Sequence, residues 1–268
     1  MDSGLIVSSP ELCFLQMASE LPFVDLVSLG YELCGSYRLG RGSAESRDFR
    51  GDMPLAGASA LSAGETDKPT LGFRNDLPLT SAGRLSSYIA GAASLKGGKC
   101  ALRASRFIAD GAASPMETIL TMLLVLPYKL GGYGFLKPML NYCIKVPASV
   151  MELTGKSKYY CDLYWPDKKV DVEYDSDAYH TGSGRIAQDA IRRNALSSLG
   201  ITVITVSREQ DFDALKMREL AGVLSKLLGK RLRYSITEFT YRHAKLLEQL
   251  LPLPPATDQF LTMPPKNS

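Results

Sequence analysis

From Val170 to Asp175 the chain reads Val-Asp-Val-Glu-Tyr-Asp, so that acids and apolar or aromatic residues alternate without a break. A strand of this pattern puts Val170, Val172 and Tyr174 on one face and Asp171, Glu173 and Asp175 on the other, because side chains alternate with period two. Three carboxylates on one face repel one another. Water must solvate them, or a cation must gather them. Asp162 lies eleven residues before Glu173, across the turn-forming Trp165-Pro166-Asp167-Lys168 stretch, and His180 follows the strand.

With 268 residues, 45% apolar and 22% charged, the chain has length and composition for a globular core. Its net charge of +3 permits an anionic partner without requiring one. The five cysteines are odd in number and scattered, with no C-x-x-C pair, which argues against a disulfide framework or a zinc knuckle and for a reducing cytoplasm. The longest apolar run, near Ile119 to Pro127, is far short of the ~20 residues that span a bilayer, and Met1-Asp2-Ser3-Gly4 has no basic signal start. A soluble cytoplasmic protein is expected.

Ser9-Pro10-Glu11 predicts a helix start, with Ser9 as N-cap and Pro10 at the first helical position, and a second helix is expected over Val24 to Cys34. From Gly35 to about Pro78 the composition shifts to Gly, Ser, Ala, Arg and Asp without periodicity, which reads as a long loop. Short helices are expected over Ser81 to Ala93 and Cys100 to Ala109. Residues 1–110 thus form a mainly helical region. Residues 111–251 then alternate: a helix from Pro115 to Val125, strands near Asn141 to Val146, Tyr159 to Tyr164 and Val170 to Asp175, and a helix from Gly184 to Leu199. Gly200 ends that helix, and the β-branched run Ile201 to Val206 predicts a strand buried on both faces. Helices over Asp213 to Leu228 and Glu238 to Leu250 complete an α/β domain with a mixed sheet, and residues 252–268 form a frayed tail.

The hairpin register decides whether the acids meet. A turn at Pro166-Asp167 sets Asp162 opposite Asp171 and Lys158 opposite Asp175, whereas a turn at Asp167-Lys168 sets Asp162 opposite Glu173. Either brings Asp162 and Glu173 within reach of one cation, and a one-residue slip separates them. Hard oxygen ligands of this kind suit Mg²⁺ or Mn²⁺. The competing reading is a half-exposed strand with a solvated acidic face. Glu117 shares a helix face with Leu120 and Leu124, but Ser114-Pro115-Met116-Glu117 is also a capping box. His180 is one of two histidines and is placed to shuttle a proton. Arg185, Gln188, Asp189 and Arg192 make one helical stripe, by default a solvated salt-bridged face and otherwise a phosphate contact. Lys226, Lys230, Arg231 and Arg233 form a late basic cluster. Gly131-Gly132-Tyr133-Gly134 lacks the Lys-Ser/Thr of a phosphate-binding loop.

The block from Ser114 to Val206 resembles the PD-(D/E)XK nuclease superfamily, and within it the group similar to very-short-patch-repair endonucleases known as domain of unknown function 559. The resemblance rests on Ser114-Pro115-Met116-Glu117-Thr118 with its Leu-rich helix, Asp162-Leu163-Tyr164-Trp165-Pro166, Val172-Glu173-Tyr174-Asp175 with His180, and Leu199-Gly200-Ile201-Thr202-Val203-Ile204. It covers about a third of the chain. The segment Ser8 to Leu12 is similar to the region preceding this domain in related proteins, where an antitoxin-like winged helix is expected further upstream. The resemblance implies a restriction-endonuclease-like fold, with Glu117 as its helix glutamate, Asp162 and Glu173 as metal-binding acids and His180 as the group's histidine. Asp175 stands where the superfamily has lysine, and Asp175-Ser176 replaces the usual Asp-Gly.

The expected function is a Mg²⁺- or Mn²⁺-dependent DNA endonuclease. Asp162 and Glu173 hold the metal, His180 or Asp175 manages the water proton, Arg185, Gln188 and Arg192 contact DNA, and Asp171 stays outside the site. The alternatives are a non-catalytic nucleic-acid-binding or toxin-antitoxin regulator that keeps the fold, and a plain interaction domain.

Overall fold

The computed structural model describes residues 7–39, 73–175, 183–207, 213–232 and 236–251, with backbone alone at 153, 183–187 and 236–237. Six α-helices and five strands precede the 176–182 gap in that description. Helices α1 (Pro10–Met17) and α2 (Phe23–Cys34) open the chain. Ser9 Oγ accepts the Leu12 N–H at 3.2 Å, the N-cap that its sequence called for. Strands β1 (Tyr37–Leu39) and β2 (Phe73–Asn75) form a two-stranded ribbon where the sequence predicts only loop; residues 40–72, the rest of that stretch, lie outside the described residues. Helices α3 (Ala82–Gly91) and α4 (Gly98–Ser105) then pack with α1 and α2 around Phe14, Leu26, Tyr31, Leu85 and Ile89.

Helix α5 (Pro115–Val125) begins at the Ser114 cap. Every residue from Glu117 to Val125 is buried, because this helix runs between the N-terminal helices and a sheet and has no solvent face. One core therefore runs from Phe14 to Leu247 across the boundary expected at residue 110. The sheet comprises β3 (Met139–Lys145), β4 (Lys158–Trp165), β5 (Val170–Asp175) and β6 (Thr202–Ser207), in that spatial order. It is antiparallel except for the parallel β5–β6 pair. Helix α6 (Ala148–Thr154), absent from the sequence expectation, links β3 to β4, and α7 (Ser183–Ser198) makes the crossover from β5 to β6. Helices α8 (Ala214–Leu227) and α9 (Ile236–Leu250) close the described chain. Asp213 caps α8, accepting the Leu215 and Lys216 N–H groups.

The architecture is thus α/β, a mixed four-stranded sheet flanked by helices and preceded by a helical region. Leu163, Trp165, Val170 and Val172 face the large core with Leu120, Met217 and Phe239, while Tyr164, Ala195, Leu196 and Ile201 form a second cluster under α7. Each face of the sheet thus carries a packed cluster. Among the described strands β6, Thr202 to Ser207, is not central but lies at the sheet edge, and only Val206 of its residues is buried. Its apolar content serves the α8 and α7 contacts on its two faces. No helix among the described residues is long and apolar enough to cross a membrane.

Gly131 and Gly132, which a phosphate-binding loop would not explain, have a packing role. A Cβ on Gly131 would lie 2.3 Å from the Arg242 carbonyl oxygen, and one on Gly132 would lie 2.1 Å from that of Leu126. Here α9 presses on the turn after α5, and His243 Nδ1 meets the Gly131 carbonyl at 2.7 Å.

Candidate functional site: a carboxylate cluster at the divergence of β4 and β5

The hairpin adopts the register in which Leu163 pairs with Val172, Tyr164 with Asp171 and Trp165 with Val170. One more step would set Asp162 opposite Glu173, and there the ladder stops. Asp162 Oδ2 instead accepts the Tyr174 N–H at 2.9 Å, so a carboxylate enters the gap between the strands. Lys158 is consequently not opposite Asp175; it pairs with Lys145 on β3. The cation that meets the acidic face is Arg192.

The strand changes phase at this point. Tyr159 and Cys161 belong to the cluster under α7, whereas Leu163 and Trp165 belong to the large core, although residues two apart should share a face. Across the ladder, Asn141 has a left-handed φ of 47°, a conformation that asparagine adopts more readily than most residues. The distortion of both strands therefore centres on the Asn141 and Asp162 positions.

Asn141 also links this point to α5. Its Nδ2 donates to Glu117 Oε2 at 2.6 Å and to the Gly111 carbonyl at 2.9 Å. Glu117 Oε2 further accepts the Ala113 N–H at 2.9 Å, while Oε1 accepts the Ser114 hydroxyl at 3.0 Å. Ser114 Oγ in turn accepts the Glu117 N–H at 3.2 Å. Glu117 is both the capping-box acid and a buried carboxylate turned to the sheet. Burial pushes its pKa up, and the three donors oppose that shift.

Asp162 shows the electrostatic consequence. Its pKa is pushed up to about 7, first by burial and then by the charge of Glu117, with a smaller push from Glu173; the Tyr174 N–H and Arg192 pull the other way. Asp171, set outside the site by its sequence context, is fully buried, and neither of its oxygens has a hydrogen-bond partner. Burial and then the Glu173 carboxylate raise its pKa, and the polar side chains beside it are Glu173 and Cys161. Burial likewise raises the Cys161 thiol, helped by Asp171.

Arg192 on α7 answers this charge. Its Nε donates to Glu173 Oε1 at 3.1 Å, and Nη2 bonds both that oxygen and the Tyr160 carbonyl. Burial alone would lower the guanidinium's pKa, but Glu173, Asp162 and Asp171 together hold it above its usual value.

The expected site residues divide accordingly. Glu117, Asp162 and Glu173 are electrostatically joined around the β4–β5 divergence, and Asp171 joins them. Asp175 stands at the end of β5 in register with Ser207 on β6. His180 and the Arg185 side chain lie outside the described residues. Gln188 and Asp189 are exposed on α7, whereas Arg192, expected with them on a phosphate-facing stripe, turns into the acids. Asp171 could have been found from its place two residues before Glu173, but only the fold reveals its burial.

The donors are in kind those of a hard divalent cation: carboxylate oxygens in excess of positive charge, two of them on Asp171 without a partner. Among the described residues, no three acidic, cysteine or histidine side chains form a group able to hold a metal ion. Comparison of the chain with family models, curated proteins and solved structures finds no match.

Proposed function

We propose that this protein is a metal-dependent DNA endonuclease with a restriction-endonuclease-like fold. The observation that carries the reading is the crowding of Asp162, Asp171 and Glu173 around Arg192 where β4 and β5 part, with Glu117 close enough to push up the pKa of Asp162. Carboxylates brought together away from water are costly, and such groups with shifted pKa values favour a functional site. Asp162 and Glu173 are the residues to hold Mg²⁺ or Mn²⁺. Such an ion would activate water and neutralise charge on a phosphodiester. Glu117 and Asn141 fix the α5 side of the cluster, and the Tyr174 N–H orients Asp162. With a cation at Glu173, Arg192 would be free to meet a DNA phosphate, since guanidinium binds either oxyanion. His180 and Asp175 are the candidates for handling the water proton, with Arg185 and Gln188 meeting DNA.

The test is nicking of supercoiled plasmid and cutting of single-stranded DNA with Mg²⁺ or Mn²⁺. Cleavage is expected in the wild type and lost with chelator, in Glu173→Ala and in Asp162→Asn. Cleavage undiminished in both variants would overturn the proposal. The Arg192–Glu173 ion pair favours one second reading: a nucleic-acid-binding regulator that keeps the fold and has closed its metal site with an arginine. DNA binding that survives chelation, without cleavage under any metal, would support that reading instead.

A further inference from the structure

The face of the β3–β4 hairpin beyond the acids has a composition the cluster does not explain. Register pairs Cys143 with Tyr160 and Lys145 with Lys158. All four side chains are exposed, and Tyr160 shows 45% of its surface to solvent. Like charges placed directly opposite each other on a sheet repel. Among the described residues neither lysine has an acidic partner, and the contact Lys158 makes is with the Tyr160 ring, its Nζ lying 5.5 Å from the centroid. A tyrosine flanked by two unneutralised lysines calls for a ligand that is both aromatic and anionic.

We propose that this face binds single-stranded nucleic acid, with an unpaired base stacked on Tyr160 and adjoining phosphates against Lys145 and Lys158. The chemistry selects the strand type: stacking needs a base face that a duplex keeps covered, and the lysines need a charge that an uncharged aromatic ligand lacks. The platform is held in place. Arg192 Nη2 bonds the Tyr160 carbonyl while it pairs with Glu173, so the segment that presents the ring is anchored to α7. Tyr159 and Cys161 turn into the cluster under α7, so Tyr160 between them presents its ring on the opposite face of the hairpin, beside Cys143 and the two lysines. Binding there does not depend on the nuclease reading.

The experiment is fluorescence anisotropy with an end-labelled oligothymidylate of about 15 nucleotides, in chelator so that no cleavage intervenes. Wild type is expected to bind, and an unlabelled duplex of equal length to compete poorly. Tyr160→Ala should weaken binding at least 5-fold or so, the lower end of what one stacked base contributes, and Tyr160→Phe should restore it. Lys145→Ala with Lys158→Ala should reduce the salt slope of the affinity by about 1.4, at roughly 0.7 per phosphate contact. Unchanged far-ultraviolet dichroism and melting would show that these exposed substitutions leave the fold intact. The proposal is overturned if wild type does not bind, if duplex competes as well as single strand, or if both sets of variants bind like wild type. Those outcomes leave the nuclease reading to its own assay: plasmid nicking without oligothymidylate binding sinks this proposal alone, and binding without nicking supports it while sinking the other.

Discussion

The Asp162 carboxylate accepts the Tyr174 backbone N–H at 2.9 Å, in the place that continued pairing would give to a β4 carbonyl. A side chain thereby ends the ladder and opens the sheet beside Glu173. The stability and the chemistry of the cluster both depend on that substitution of side chain for backbone.

Asp162 makes stability fall as pH rises. Its folded pKa of about 7 lies above the ordinary 3.8, so between these values the native state binds more protons than the unfolded one. The contribution is fully present below about 4 and lost as pH rises through about 7. One proton of difference corresponds to roughly 1.4 kcal/mol per pH unit at most. Asp171 is shifted in the same direction and steepens the fall. Urea midpoints from pH 4 to 8 should decline in wild type and decline less in Asp162→Asn; equal slopes would contradict the assignment.

Arg192→Ala should cost about 2 kcal/mol or more at pH 7, because it leaves Glu173 with no counter-charge in a mostly buried position. Adding Glu173→Gln should recover part of that loss. A double-mutant cycle with no coupling between the two would show that the ion pair contributes nothing.

Glu117 is both cap and buried acceptor, so Glu117→Ala leaves the Ala113 N–H without its acceptor and the Asn141 amide with the Gly111 carbonyl alone, and should cost about 2 kcal/mol. Asn141→Val should be damaging for a separate reason, since a β-branched residue tolerates a φ of 47° poorly. Asn141→Gly relieves the backbone and still loses the bond to Glu117. Thermal melts of the three variants should rank Asn141→Gly above Asn141→Val.

Gly131→Ala should destabilise more than an exposed substitution can, because its Cβ would meet the Arg242 carbonyl and its φ is 90°. Loss of α9 docking, read as faster amide exchange at His243 and its neighbours, is the expected signature.

Much of the fold was legible because local signals were strong. Ser9, Ser114 and Asp213 announced helix starts that their side chains do cap, and the alternation from Val170 to Asp175 announced β5. The β1–β2 ribbon was missed because its short strands lie far apart in sequence, and α6 because it is brief and follows a strand directly. The Ile201 to Val206 run misled because a β-branched stretch reads alike at an edge and at a centre; only the strand order distinguishes them. At the site, Asp162 and Glu173 could be named from spacing, whereas spacing showed Glu117 as a capping-box acid and only the family resemblance made it a site candidate. The phase change at Asp162, the left-handed Asn141 and the turn of Arg192 into the acids could not, since each depends on contacts between residues 12 to 24 apart in the chain.

We propose that the carboxylates at the β4–β5 divergence form a metal-dependent phosphodiester-cleaving site. Plasmid nicking with Mn²⁺ or Mg²⁺, compared between wild type and a Glu173→Ala variant purified in parallel, tests it most directly. Metal-dependent nicking that chelator abolishes and Glu173→Ala lacks is the result expected; equal nicking by both proteins, or none by folded wild type with either metal, would contradict it.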